Sequence, residues 1–250
     1  MISEIICIGT SFTEGDGLHV NDSYNSWLKK NKGIYVKSMK DVAWPKQLET
    51  LSNIKTRNLG KCGSSIEYLM RNVEEILESE DCSDKLFILE YSNWGRSELW
   101  FNEFNKWIVA NWGPRDGVDP TNEGYAVMMT SDYKYGKQLE FDKFKIYENY
   151  LDNFFNEKEY LIQSDRNFLN LLYKLKSKNI DFKIITLEEV FWKPLENDKL
   201  FKDSTILYNL YEFINKNKLS IENITNNEVN DGHPSIEGHI KIAKKIYEKI

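Results

Sequence analysis

Asp231 and His233, separated by one glycine and followed by Pro234 and a helical pattern, are side chains that can hold and move a proton. A carboxylate two positions before an imidazole can fix the ring's orientation and stabilise its charged form, which is half of a hydrolytic triad. The other half is a hydroxyl, and the start of the chain offers one. Ile5-Ile6-Cys7-Ile8 reads as a short buried strand that runs into Gly9-Thr10-Ser11, setting Ser11 at the strand's C-terminal end. A serine hydroxyl becomes a useful nucleophile only with a base in hydrogen-bond reach, so the two ends of the chain are expected to meet in one site.

The elements that would position these residues are legible as short apolar runs bounded by turn residues. Strands are expected at 4–8, 54–58, 85–90 and 181–187. Between them lie helical patterns. One opens near Val42-Ala43-Trp44-Pro45 with proline in its first turn, and another runs from Ser65 through Val73, Ile76 and Leu77. A third spans 164–178 with Phe168, Leu171, Leu172 and Leu175 on its apolar face, and the last covers 236–249. This alternation predicts an α/β fold with a mostly parallel sheet covered on both faces. Ligands in such sheets bind outside the C-terminal ends of the strands.

At 250 residues the chain suits one domain, residues 1–250, and 41% hydrophobic with 14% aromatic residues predicts a packed core. The net charge of −6 and the scattered lysines give no basic stripe for a phosphate backbone, so no nucleic-acid partner is expected. No apolar run approaches the roughly 18 residues of a membrane span, and no signal-like start occurs, so a cytoplasmic protein without a membrane partner is expected. Cys7, Cys62 and Cys82 lack metal-ligand spacing and read as reduced thiols. His239, on the final helix, faces away from His233 and reads as a helix-face residue, and His19 as a loop residue near Ser11. No cofactor and no metal are implied: neither a phosphate-binding loop nor a dinucleotide fingerprint occurs, and no Gly-x-Ser-x-Gly elbow either.

Four features at strand ends now stand in order: Gly9-Thr10-Ser11, then Asn58-Leu59-Gly60-Lys61-Cys62-Gly63, then Tyr91-Ser92-Asn93-Trp94, then Asp231-Gly232-His233. Each alone is an ordinary turn; together, in this order, the chain resembles the SGNH hydrolases, or GDSL-like lipases and esterases. The resemblance covers residues 4 to about 245, apart from about 95–160. It implies a three-layer α/β/α sandwich with a flavodoxin-like central sheet. It also implies Ser11 as nucleophile, His233 as general base and Asp231 as its orienting acid. The oxyanion donors would be the backbone N–H groups of Ser11 and Gly63 and the side-chain amide of Asn93. Three departures are visible. Thr10 stands where the family has an aspartate, the third block keeps only Asn93, and the usual acid position is Asn230, with Asp231 one residue closer to the histidine, so that either Asp231 reaches the ring through a re-formed turn or the acid is absent and Asn230 holds it.

The region from about 95 to 160 breaks the alternation and carries Trp94, Trp100, Trp107 and Trp112. Following a strand's C-terminal end, it is expected to form a lid or pocket wall, with Trp100 and Trp107 sharing one face of a helix. Thr10, Trp94 and Arg96 are the expected substrate contacts. The reading is a serine ester hydrolase removing a small acyl group such as acetyl from a carbohydrate or related small molecule. Two alternatives stay open at this point: an O-acyltransferase using the same triad, and a catalytically silent glycan-binding module. The oligomeric state is not legible.

Overall fold

A computed structural model describes residues 2–18, 22–33, 38–92, 96–101, 106–114, 125–130, 153, 156–190 and 192–250. Along the chain come β1 (Glu4–Ile8), α1 (Ser11–Glu14), α2 (Asp22–Lys30), α3 (Trp44–Ser52), β2 (Lys55–Asn58), α4 (Ile66–Ser79) and β3 (Lys85–Tyr91). Then follow β4 (Arg96–Phe101), β5 (Lys106–Pro114), β6 (Tyr125–Thr130), α5 (Glu157–Ser177) and β7 (Asp181–Thr186). The C-terminal part holds α6 (Lys193–Asn197), α7 (Lys199–Ser204), β8 (Thr205–Leu207), α8 (Leu210–Lys216), α9 (Ile221–Ile224) and α10 (Ile236–Tyr247).

Strands β2, β1, β3, β7 and β8 form a parallel sheet in that order. Because successive side chains on a strand point to opposite faces, β1 is divided between two cores. Ile6 and Ile8 join Phe87 and Leu89 against Leu69 and Val73 of α4 and Phe168 and Leu172 of α5. Ile5 and Cys7 join Leu86 and Ile88 against Trp44 and Leu48 of α3 and Ile242, Ala243 and Ile246 of α10. Every residue of β1 is buried, which is why, after Glu4 with its Arg57 partner, its sequence is a continuous apolar run rather than an alternating one. The result is a three-layer α/β/α sandwich. In register, Cys7 stands beside both Asn58 and Ile88, so the C-terminal ends of β2, β1 and β3 lie side by side.

The sequence-expected strands and the four long helices are present, with boundaries shifted by a few residues, most at the start of α5. Several elements were not foreseen: the nine-residue α2, and α1, β8 and helices α6 to α9, which are too brief for periodicity to declare them. The expectation for Trp100 and Trp107 is corrected. They do not share a helix; β4, β5 and β6 form a separate antiparallel sheet, in which Trp100 and Trp107 are direct partners on neighbouring strands. Seven positions apart fits one helix face and also a pair across a short hairpin, and aromatic and β-branched residues such as those of Lys106–Val109 favour the strand. Among the described residues no helix is long and apolar enough to cross a membrane.

One buried side chain ties the last helix to the third. Ala43, the N-cap of α3, offers no side-chain acceptor, and the N–H of Trp44 instead donates to Nδ1 of His239 at 3.1 Å. The imidazole is fully buried, and that burial, helped by His233, pushes its pKa down to about 3. It therefore stays neutral in the folded protein, while in the unfolded chain it titrates near 6.5. As pH falls from about 6.5 towards 3 the unfolded state binds the proton and the folded state does not, so this group's contribution to stability is present above about 6.5 and lost below. Urea midpoints should accordingly drop between pH 7.5 and pH 4.5, and the drop should be shallower in His239→Gln, whose amide oxygen can still accept from Trp44. An equal slope in the two proteins would remove His239 from the acid response.

Candidate active site

Ser11 is placed by the turn that closes β1. Thr10 is extended and acts as N-cap of α1, so Ser11 is the first helical residue, and its N–H has no acceptor inside the helix. The turn is held from the neighbouring strand. Glu90, buried near the end of β3, accepts the N–H of Thr10 at 3.0 Å on Oε1, the Thr10 hydroxyl on the same oxygen and the Thr13 hydroxyl on Oε2. Gly9 lies so close to this carboxylate that a Cβ would overlap Glu90 Cβ and Thr13 Oγ1. Burial pushes the Glu90 carboxyl up, against the three donors that favour its charge.

The loop after β2 is fastened to the same turn from the other side. Gly9 carbonyl accepts from Lys61 N–H at 3.0 Å and from the Ser64 hydroxyl at 2.9 Å. Asn58 spans the gap, its amide donating to Thr13 carbonyl at 2.9 Å and its oxygen accepting from Gly60 N–H at 2.9 Å. Gly63 closes this loop in the left-handed region at φ 72°, a conformation that costs other residues energy. Its N–H donates to no described residue.

His233 arrives on a loop pinned by backbone pairing. His233 carbonyl accepts from Ile221 N–H at 2.8 Å, Asp231 carbonyl from Glu222 N–H at 2.9 Å, and Leu219 carbonyl from Ser235 N–H at 2.8 Å. Ser235 then caps α10 by accepting from Gly238 N–H at 3.1 Å. Within the loop, Asp231 Oδ1 accepts the His233 N–H at 2.9 Å and stands 2.7 Å from the ring's Nδ1. A carboxylate oxygen there requires a proton on Nδ1, which leaves the Nε2 lone pair free to accept. Nε2 lies 2.9 Å from Ser11 Oγ. The Phe12 ring packs against the imidazole, centroids 5.1 Å apart.

The structure thus brings Ser11, His233 and Asp231 into one hydrogen-bonded chain, while Asn230 is exposed to solvent. Asn93 and Trp94 lie outside the described residues, as does His19. Thr10, expected against substrate, is 3% exposed and turns its hydroxyl to Glu90, where it helps hold the Ser11 turn. Arg96, at the start of β4, donates from Nη1 to Ser64 carbonyl at 3.2 Å, beside the Gly63 loop; burial lowers its pKa. Glu90 and Phe12 escaped the sequence reading. An acidic residue ending the run Leu86–Leu89 was the available signal, since an unpaired carboxylate is rarely buried without donors. Among the described residues no three His, Cys, Asp or Glu side chains are grouped to hold a metal ion.

No protein-family model and no curated protein matches the chain. Solved structures do. A protein described as lipolytic and of the G-D-S-L family, from Desulfitobacterium hafniense, is 11% identical, with 99% of each chain covered and a TM-score of 0.48. A member of the lipolytic G-D-S-L family from Veillonella parvula is 13% identical, covering 99% of this chain and 97% of that one, with a TM-score of 0.46. A psychrotrophic esterase from a Pseudoalteromonas species, in a structure inhibited by monoethylphosphonate, is 12% identical over 98% of this chain and 95% of its own, at 0.47. At TM-scores below 0.5 these likenesses add no weight to the geometry described above.

Removing the Glu90 carboxylate would orphan one buried N–H and two buried hydroxyls. Glu90→Ala should cost on the order of 3 kcal/mol in urea unfolding, whereas Glu90→Gln, which keeps acceptor oxygen on one side, should cost less. Equal stability of the two variants would show that the Ser11 turn does not depend on this carboxylate.

Proposed function

We propose that the protein is a serine ester hydrolase of the SGNH type. The observation that carries the reading is the unbroken chain from Asp231 Oδ1 through the His233 ring to Ser11 Oγ, at 2.7 and 2.9 Å. A neutral imidazole whose Nδ1 is held by a carboxylate and whose Nε2 faces a serine is arranged to take that serine's proton.

The reaction follows from these positions. Ser11 Oγ attacks the ester carbonyl as its proton passes to His233 Nε2, and Asp231 stabilises the imidazolium. Charge developing on the carbonyl oxygen is met by the N–H groups of Ser11 and Gly63 and by the Asn93 amide. Collapse of the tetrahedral intermediate expels the alcohol, which takes the proton from His233 and leaves an acyl group on Ser11. Water, activated by the same imidazole, then releases the acid.

A small acyl group such as acetyl suits the nucleophile's setting, since Ser11 is only 5% exposed. We assign the β4-β5-β6 sheet the part of a fixed pocket wall. Its support is the anchoring of β4 to α4, where Arg71 donates to both oxygens of Glu98 at 2.9 Å and the Glu98 side chain is 3% exposed. Aromatic residues concentrated in that region favour a sugar or related ring as the alcohol portion.

Incubation with a serine-directed fluorophosphonate should add one adduct to the wild type by intact mass, and none to Ser11→Ala or His233→Ala. Asp231→Asn should keep the fold by circular dichroism and lower kcat for a small acetyl ester by about 10³–10⁴. A wild type that takes no adduct and hydrolyses no ester would overturn the reading.

A further inference from the structure

Tyr211 is the second residue of α8 and 41% exposed, yet it is not a solitary surface tyrosine. Its N–H donates to Leu187 carbonyl at 3.0 Å, which fixes it above the C-terminal end of β7. Its ring stands 6.2 Å from that of Phe12, and Phe12 in turn packs against His233. Its hydroxyl reaches the loop between the acid and the base: a Cβ added at Gly232 would lie 3.2 Å from the phenol oxygen. Gly232 has no left-handed φ that would call for glycine, so the space left for Tyr211 is the visible use of that residue's missing side chain. Among the described residues the Tyr211 hydroxyl has no hydrogen-bond partner.

The direction of the chemistry gives this tyrosine a place. In the sheet order, the Gly63 loop follows β2 on one side of β1, whereas Tyr211 sits on the other side, beyond β3 and over β7. The proposed oxyanion donors Gly63, Ser11 and Asn93 follow β2, β1 and β3 in the chain, so Tyr211, over β7, stands beyond all three strands, and the departing alcohol must lie within reach of His233, which protonates it. An exposed phenol face beside the histidine's own loop is therefore on the alcohol side.

We propose that Tyr211 is a specificity-determining residue that forms the wall for the leaving alcohol and selects esters whose alcohol carries a ring. The inference rests on the hydrolase reading above. A ring of the alcohol stacks on the phenol face, a contact that an acyclic alcohol of the same reactivity cannot make in full.

The test compares kcat/KM of wild type, Tyr211→Ala and Tyr211→Phe on benzyl acetate, ethyl acetate and benzyl butyrate, so that alcohol and acyl portions vary separately. Loss of an aromatic contact should lower kcat/KM of Tyr211→Ala for benzyl acetate on the order of 3–10-fold, mainly through KM. Ethyl acetate should change by less than about twofold, benzyl butyrate should fall as benzyl acetate does, and Tyr211→Phe should behave as wild type, because the stacking face is kept. Equal losses on the benzyl and ethyl esters, a loss that follows the acyl chain, or no loss on either benzyl ester would each overturn the assignment while leaving the hydrolase reading intact. A wild type inactive on all esters and unreactive to fluorophosphonate would overturn both.

Discussion

The buried carboxylate of Glu90 is the constraint on which the site is built. A strand that ends in Gly9-Thr10-Ser11 does not by itself decide where the serine points. The carboxylate of the neighbouring strand decides it, by accepting one N–H and two hydroxyls from the first turn of α1. Taking a carboxylate out of water is costly unless donors replace the lost hydration, and here three donors do so. Because the strand register sets Ile8 beside Leu89, the carboxylate arrives one residue beyond that pair, level with Gly9, where only a glycine leaves it room. The same glycine's carbonyl ties in Lys61 and Ser64 from the loop after β2. Three adjacent strand ends are thereby locked around one short turn.

The imidazole is held by an independent device. Leu219 to Glu222 pair with Asp231 to Ser235 through three backbone bonds, and Ser235 starts α10, whose apolar face is committed to the core with α3. The two halves of the proposed triad are 222 residues apart in the chain, and each is held by its own set of hydrogen bonds. Phe12 joins them, since it follows Ser11 in sequence and packs on the histidine ring. Such preorganisation matters for the chemistry proposed, because reacting groups displaced by about 1 Å can lose on the order of 10² in rate.

Polar groups buried outside the site do structural work of the same kind. His239 takes the N–H that Ala43 leaves without a cap, and Asp165 of α5 accepts from the Tyr91 hydroxyl and, at 2.9 Å, from Trp192 N–H. Each acceptor lies far in sequence from its donor, so each closes a long loop as well as meeting a buried donor. The site is therefore continuous with the packing of the sheet rather than mounted on its surface.

The strands β1, β2, β3 and β7 and the long helices were determined locally, by apolar runs and by periodicity, and with them the layered α/β architecture. Ser11, Asp231 and His233 could be named from residue type and position, and Gly63 from the family resemblance those positions carry. Geometry between them could not, because it depends on register and on contacts across the sheet. Only the tertiary structure decided that Asp231 and not Asn230 faces the ring, that Thr10 is spent on Glu90, and that Tyr211 stands beside Gly232. Trp100 and Trp107 show the limit most plainly: their spacing satisfies a helix face and a hairpin pair equally. Local patterns report which face a residue occupies within its own element; partners come from how the elements pack, and that information is spread over the whole chain.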